Sequence, residues 1–340
     1  MIERLVVLAP NWLGDAVMAL PAIADIRRHF ASAHLTVAAR APIAPVFTMV
    51  RGIDAVMTLP AGGGWRALTG WKQNAAALSG GRFDAAILLP NSYASALMAA
   101  RASIAERWGY GTDMRGGLLT RAVPRPEGGL HQRAYYQALT TALGIDSGPP
   151  FARIEPDREW ARQVLREIGL DIDEPFVVFA PGAAYGGAKQ WLPQRYAELA
   201  QLIVGDRGWS VLMVGTNADR AACDTIARSL PGTGTRINRL IDFCGKTDLP
   251  TLAGILSEAR VVVSNDSGAM HLAAAAGTKV VAIFGPTRER QTYPLSAGPD
   301  APAPVVVTHE VFCRPCMLRE CPIDHRCMTR ISAREVFQSM

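Results

Sequence analysis

The chain has 340 residues, of which 49% are hydrophobic and 19% charged, with a formal charge of +5 and a pI near 9.0. That length exceeds one comfortable α/β core and suits two. The composition excludes a disordered or fibrous chain, and no apolar run reaches the roughly 18–20 residues that a membrane helix needs. A positive balance favours anionic partners. The basic residues are nevertheless scattered, without a helix-turn-helix or RNA-recognition signature, so nucleic acid is not an expected partner. The opening MIERLVVLAPNW lacks a basic leader, a long apolar stretch and a small-residue cleavage site. No signal peptide is expected, and the cytoplasm is the default compartment.

Apolar strand-like runs alternate with helical patterns from end to end, which points to parallel α/β layers. Strands are predicted at Leu5–Ala9, Leu35–Ala39, Ala55–Leu59 and Ala85–Leu89, with helices through Phe30, over Ala94–Ala100 and over Gln132–Leu143. A polar, proline-containing stretch at Asp146–Pro156 reads as the linker. Alternation then resumes with strands at Phe176–Ala180, Val211–Val214, Val261–Ser264 and Val280–Phe284. Helices fit Tyr196–Val204, Ala218–Leu230, Leu249–Ala259 and Ala269–Ala276. Two successive doubly wound domains put their ligand crevices at the carboxyl ends of the strands, facing one another across a cleft.

The motifs sit at those strand ends. Asn11-Trp12-Leu13-Gly14-Asp15 follows the first strand; Asp15 is either a helix cap or a carboxylate placed as a general base. Pro21 falls inside the helix that Asp15 would open, so a kink or a later start is expected. Pro90-Asn91-Ser92 closes another strand, as a ligand contact or as an ordinary turn. Pro181 to Trp191 (PGAAYGGAKQW) fails as a P-loop, because its Lys189 comes one residue late and no Ser or Thr follows. It remains either a glycine-rich nest for a diphosphate or a flexible loop. Ser264 to His271 (SNDSGAMH) passes from a strand into an alanine-rich helix, whose N-terminus would favour a phosphate at Ser267 and Gly268. Asp266 could accept bonds from sugar hydroxyls, while His271 either faces a ligand or is a core residue. Gly215-Thr216-Asn217-Ala218-Asp219, after a further strand, is a candidate for the nucleoside.

Other signals are weaker or negative. Asp171-Ile172-Asp173 imitates a metal-binding D-x-D but lies in a turn-like run, and neither G-x-G-x-x-G after the first strand nor G-x-S-x-G occurs. Cys313, Cys316, Cys321 and Cys327 crowd together, with His325 among them. They are either ligands of a structural zinc or free thiols. Gly62–Gly64 with Trp65 and Arg66 form an exposed loop or a contact with the membrane or acceptor.

Taken together these segments resemble glycosyltransferase family 9. The resemblance is carried by PNWLGDAVMALPAI, LPNS at Leu89–Ser92, RWGY at Arg107–Tyr110, PGAAYGGAKQW, NDSGAMHLAAA and FGPT at Phe284–Thr287. CRPCMLRECPIDHRCM is similar to a segment of many members, and LPNS points to the heptosyltransferase II branch over heptosyltransferase I. The resemblance implies an α/β GT-B fold of two Rossmann-like domains. Residues 1–150 would bind the acceptor and 151–340 ADP-heptose, with 331–340 packing back on the first domain. It implies an inverting transfer from ADP-L-glycero-D-manno-heptose to the first heptose of the lipopolysaccharide inner core, with Asp15 as base. Lys189, Ser267 and Gly268 would stabilise the diphosphate, and Asp266 and His271 would orient the heptose or its phosphate. Asn11, Gly14, Asn91, Ser92 and Arg107 would serve the acceptor. Fixed positive groups would make a metal cofactor unnecessary, and a basic protein would work at the inner face of the cytoplasmic membrane. Competing readings are another family 9 transferase, a nucleotide-sugar epimerase and a non-catalytic protein that binds the lipopolysaccharide core.

Overall fold

A computed structural model describes residues 2–60, 67–229 and 239–340. The chain divides into two compact units, Met1–Ala152 and Arg153–Met340, and the division falls within the stretch Asp146–Pro156. The loop Gly62–Gly64 with Trp65 and Arg66 lies outside the described residues.

The first unit runs β1 (Arg4–Leu8), α1 (Leu13–Met18), α2 (Leu20–His29), β2 (His34–Arg40), α3 (Ala44–Thr48) and β3 (Ala55–Leu59). It continues α4 (Ala67–Gly80), β4 (Ala85–Leu88), α5 (Tyr93–Arg101), β5 (Glu106–Tyr110), β6 (Arg121–Val123) and α6 (Gln132–Ala142). The strands form one parallel sheet in the order β3-β2-β1-β4-β5-β6. Leu5, Val6 and Val7 on β1 and Ala85, Ala86, Ile87 and Leu88 on β4 are fully buried. Central strands of a parallel sheet are covered on both faces, so continuous apolar runs are what such positions require. The helix after β1 is broken at Ala19, and Pro21 stands in the first turn of α2, where its missing N–H costs no helical bond.

The second unit runs α7 (Arg158–Glu167), β7 (Phe176–Ala180), α8 (Pro193–Leu202), β8 (Ser210–Met213), α9 (Arg220–Arg228), β9 (Leu240–Asp242) and α10 (Leu249–Glu258). Then follow β10 (Val261–Asn265), α11 (Gly268–Ala275), β11 (Val280–Phe284), α12 (Glu289–Thr292), β12 (Val305–Thr308), α13 (Arg326–Thr329) and α14 (Ala333–Gln338). Its parallel sheet has the order β12-β11-β10-β7-β8-β9. Numbered from its own first strand, this is again 3-2-1-4-5-6, the doubly wound order.

Sequence periodicity had not shown β5, β6, β9 or β12. Of these, β6, β9 and β12 are sheet edges of three or four residues, and β5 mixes charged and aromatic residues, so none is a long, fully buried apolar run. One expectation is corrected. Ile331, Ala333 and Val336 are buried in the core of the second unit, and α14 packs on α8. The C-terminal helix therefore belongs to that unit rather than to the first. Asp171 and Asp173 are exposed in a turn closed by the Asp173 amide on Asp171 Oδ1 at 3.0 Å. Among the described residues, no helix is long and apolar enough to cross a membrane.

Candidate functional site

In each unit the strand order reverses between the first and fourth strands, β1 and β4 or β7 and β10. Open α/β sheets bind ligands beyond the carboxyl ends of such a strand pair. The four loops that leave these strands carry the Gly14-Asp15, Asn91-Ser92, glycine-rich and Asp266-Ser267 segments.

In the first unit, Trp12 occupies the cap position of α1, and Asp15 stands in the first helical turn. Asp15 is thus not the cap residue. It lies close to Tyr136 on α6: burial drives that phenol's pKa well above its ordinary value, and the charge of Asp15 adds to the rise. Asn91 Nδ2 donates to the Tyr135 hydroxyl at 2.6 Å. Of the neighbouring α6 tyrosines, Tyr135 thus holds Asn91 while Tyr136 feels the charge of Asp15. Ser92 caps α5, its Oγ accepting from the Ser95 amide at 3.3 Å. Asn11 is exposed and Gly14 half-buried on the first loop.

Arg107 is not brought to this place. It pairs in register with Ala86 near the amino end of β5, and its guanidinium donates to the carbonyls of Leu118 at 2.7 Å, Ile104 at 2.5 Å and Ala105 at 3.1 Å. The residue beneath the loop is instead Arg115, which is fully buried. It donates to the carbonyl oxygens of Tyr110 at 2.8 Å and Pro90, to Ser95 Oγ at 3.0 Å and to Asn91 Oδ1 at 3.4 Å. Burial pulls its pKa down, opposed by Tyr135 and Asp113. A planar fork of five donors suits such an array of acceptors.

In the second unit, Asn265 at the end of β10 is fully buried and fixes both ends of the glycine-rich loop. Its Nδ2 donates to the Pro181 carbonyl at 2.6 Å, and its Oδ1 accepts from the Trp191 amide and the Tyr196 hydroxyl, each at 3.1 Å. The loop so held places Lys189 Nζ 2.6 Å from Asp266 Oδ2, with side-chain exposures of 14% and 5%. Thr287 Oγ1 donates to the same carboxylate oxygen at 2.6 Å. Ser267 stands at the cap position of α11 in extended backbone and makes no side-chain cap bond. Gly268 is the first helical residue, and His271 is buried on the same helix. A lysine with three donors, a carboxylate and an uncapped helix N-terminus thus meet in one corner.

A second loop adjoins the glycine-rich one. A Cβ on Gly182 would stand 2.3 Å from the Asp219 carboxylate, which would have to move, and one on Gly215 would stand 3.1 Å from Asp219 Cβ, a tight approach. Thr216 Oγ1 and its amide both donate to Asp219 Oδ2 at 2.8 Å, which commits the threonine side chain to a capping box.

Residues 71–326 match Glycosyltransferase family 9 (heptosyltransferase). The chain belongs to glycosyltransferase family 9. It is 28% identical over 301 residues to the lipopolysaccharide heptosyltransferase 2 of Escherichia coli K12, with 86% of each chain covered. It is 25% identical over 333 residues to a lipooligosaccharide heptosyltransferase 2 of Campylobacter jejuni, covering 97% of this chain and 94% of that one. The structure of E. coli ADP-heptose lps heptosyltransferase II superposes with a TM-score of 0.83 at 24% identity, over 99% and 97% of the two chains. E. coli heptosyltransferase WaaC with ADP gives 0.74 at 18% identity, over 99% and 98%. The fold is the GT-B fold of these transferases.

The family 9 chain gathers its C-terminal cysteines around the buried Cys327. Burial raises that thiol's pKa, and Cys313, Cys321 and Cys316 raise it further. The cluster does not close into a ligand set. Among the described residues, the one trio of ligand atoms mutually within 4.8 Å is Cys223, Asp242 and Cys244. There Asp242 pairs with Arg220 at 2.5 Å, and burial raises the Cys223 thiol. The His325 amide donates to Cys321 Sγ at 3.3 Å, while its Nε2 lies 2.7 Å from the Ala188 carbonyl oxygen. Sequence reasoning missed Arg115, Tyr135, Tyr136, Asn265 and Thr287 as parts of these constellations. Asn265 and Thr287 lie inside the motifs that carry the resemblance, but nothing near Arg115 or Tyr135 marks them.

Proposed function

We propose that this chain transfers heptose from ADP-L-glycero-D-manno-heptose to the first heptose of the lipopolysaccharide inner core, heptosyl-Kdo2-lipid A, with inversion at the anomeric carbon. The observation that carries the reading is the Lys189–Asp266–Thr287 corner at the N-terminus of α11, in a chain similar along most of its length to heptosyltransferase II proteins. The second unit takes the donor. Lys189 and the amides around Ser267 and Gly268 hold the diphosphate, Asp266 and His271 orient the sugar or its phosphate, and the Gly182–Gly215 approach lies beside the nucleoside. The first unit takes the acceptor through the Asn11–Gly14 and Asn91–Ser92 loops.

In the transfer, the Asp15 carboxylate accepts the proton of the acceptor hydroxyl while that oxygen forms a bond to the anomeric carbon. The bond from that carbon to the β-phosphate oxygen breaks on the opposite side, and its electron pair leaves with ADP. The charge that grows on the diphosphate meets groups already in place, which is the efficient form of electrostatic catalysis. The basic chain works at the cytoplasmic face of the inner membrane, where anionic lipid attracts it.

The test is ADP release from ADP-heptose with monoheptosylated Kdo2-lipid A, with the unheptosylated acceptor and with none. Release that requires the monoheptosylated acceptor is expected. Release only with the unheptosylated acceptor would reassign the chain to the first heptosyl transfer, and turnover of the donor's sugar without any acceptor would favour epimerase chemistry. A structural zinc on Cys313, Cys316, Cys321 and Cys327 is a separate proposal, since the thiols as placed need to rearrange to meet the tetrahedral spacing. Metal analysis of the purified chain is expected to find about one zinc per chain bound by such a four-thiolate site, and loss of that metal in Cys327→Ser would assign it there.

A further inference from the structure

The cysteine-bearing segment from Arg314 to His325 runs along the loop that carries Lys189. Ala188 N donates to the Arg319 carbonyl at 2.9 Å, and His325 Nε2 donates to the Ala188 carbonyl at 2.7 Å. Gly187 N donates to Glu320 Oε1 at 3.1 Å, and the Tyr185 hydroxyl to the Met317 carbonyl at 2.8 Å. The two backbones also come together at Gly186, where a Cβ would stand 2.4 Å from the Arg319 carbonyl oxygen and φ is +152°. On its other side the segment is held by the loop after β11. Arg314 Nε donates to the Gly285 carbonyl at 2.7 Å, and Met317 N to the Pro286 carbonyl at 3.0 Å. It therefore bridges the loops that bring Lys189 and Thr287 to Asp266. The ring of Tyr185 carries Lys189 Nζ at 4.7 Å and the Arg319 guanidinium at 5.3 Å from its centroid.

We infer that this segment is a strap that positions Lys189 for the donor diphosphate, with His325 and Tyr185 as its positioning residues. The inference rests on the donor role given to Lys189 above. A glycine-rich loop with a long lysine would lose much conformational freedom on binding an anion, and a loop already fixed at four points loses less. His325 acts through the Ala188 carbonyl, one residue before Lys189. Tyr185 acts through its ring, whose placement the Met317 bond fixes.

Calorimetric titration of the full chain with ADP tests this. His325→Ala and Tyr185→Phe are each expected to weaken ADP binding about five- to tenfold, the scale of one hydrogen bond. His325→Gln, which returns an N–H donor towards Ala188, is expected to recover most of that loss. The fall in kcat/KM for the donor should follow the fall in ADP affinity. Tyr185→Phe removes a single oxygen and keeps the ring, so it carries the test should His325→Ala fail to fold. ADP affinity equal to wild type in both variants, with only the melting temperature lowered, would overturn the inference, as would no recovery in His325→Gln. A wild-type chain that fails to bind ADP at all would instead remove the reading on which the inference stands.

Discussion

Asp15→Asn lowers heptosyl transfer by about 10²–10⁴-fold, the usual worth of a general base, and leaves ADP affinity unchanged. The substitution keeps the shape of the side chain and removes its ability to take the acceptor's proton. Asp15 is not the cap of α1; it is a carboxylate in the first turn of a six-residue helix, beside Tyr136. Such a charge near a helix N-terminus is worth about 0.3–1 kcal/mol. A small drop in melting temperature is therefore compatible with the prediction, and it cannot produce a large loss of rate. Acceptor-dependent ADP release at saturating donor is the measurement. Rates within a few-fold of wild type would reduce Asp15 to its helix role and move the search for the base to other groups at the carboxyl ends of β1 and β4.

The second large effect is expected at the Lys189–Asp266 pair. Lys189→Met leaves Asp266 almost buried, with Thr287 as its partner. Breaking a buried pair from one side costs about 3–5 kcal/mol of stability, and losing a fixed positive group at the leaving group lowers kcat by about 10²–10³-fold. The two consequences separate in a double-mutant cycle. Lys189→Met with Asp266→Asn removes the uncompensated charge, so the melting temperature should return towards wild type while transfer stays low. Recovery of transfer together with stability would make the pair a structural ion pair and remove Lys189 from the chemistry.

The central strands and the four site loops were legible in the sequence, because central parallel strands must be apolar on both faces and glycine-rich turns at their ends are short and local. Gly182 and Gly215 illustrate the limit of that reading. Asp219 crowds Gly182 from another loop and approaches Gly215 within its own, so the sequence marks the glycines and the fold supplies the reason. Arg107 shows the opposite failure. It lies in a family motif, yet strand register puts it near the amino end of β5, where its guanidinium laces backbone carbonyls.

By itself, then, the sequence determined two doubly wound α/β units, the family, and the strand-end positions of Asp15, Lys189 and Asp266. Each of these rests on local pattern: hydrophobic period, turn chemistry and short motifs. Only the tertiary structure decided that Asn265 anchors the glycine-rich loop, that Arg115 lies under Asn91, that α14 closes the second core and that His325 reaches Ala188. These are contacts between residues distant in the chain, 137 positions apart for His325 and Ala188. Their partners are chosen by sheet order and packing, for which a single sequence carries no local signal.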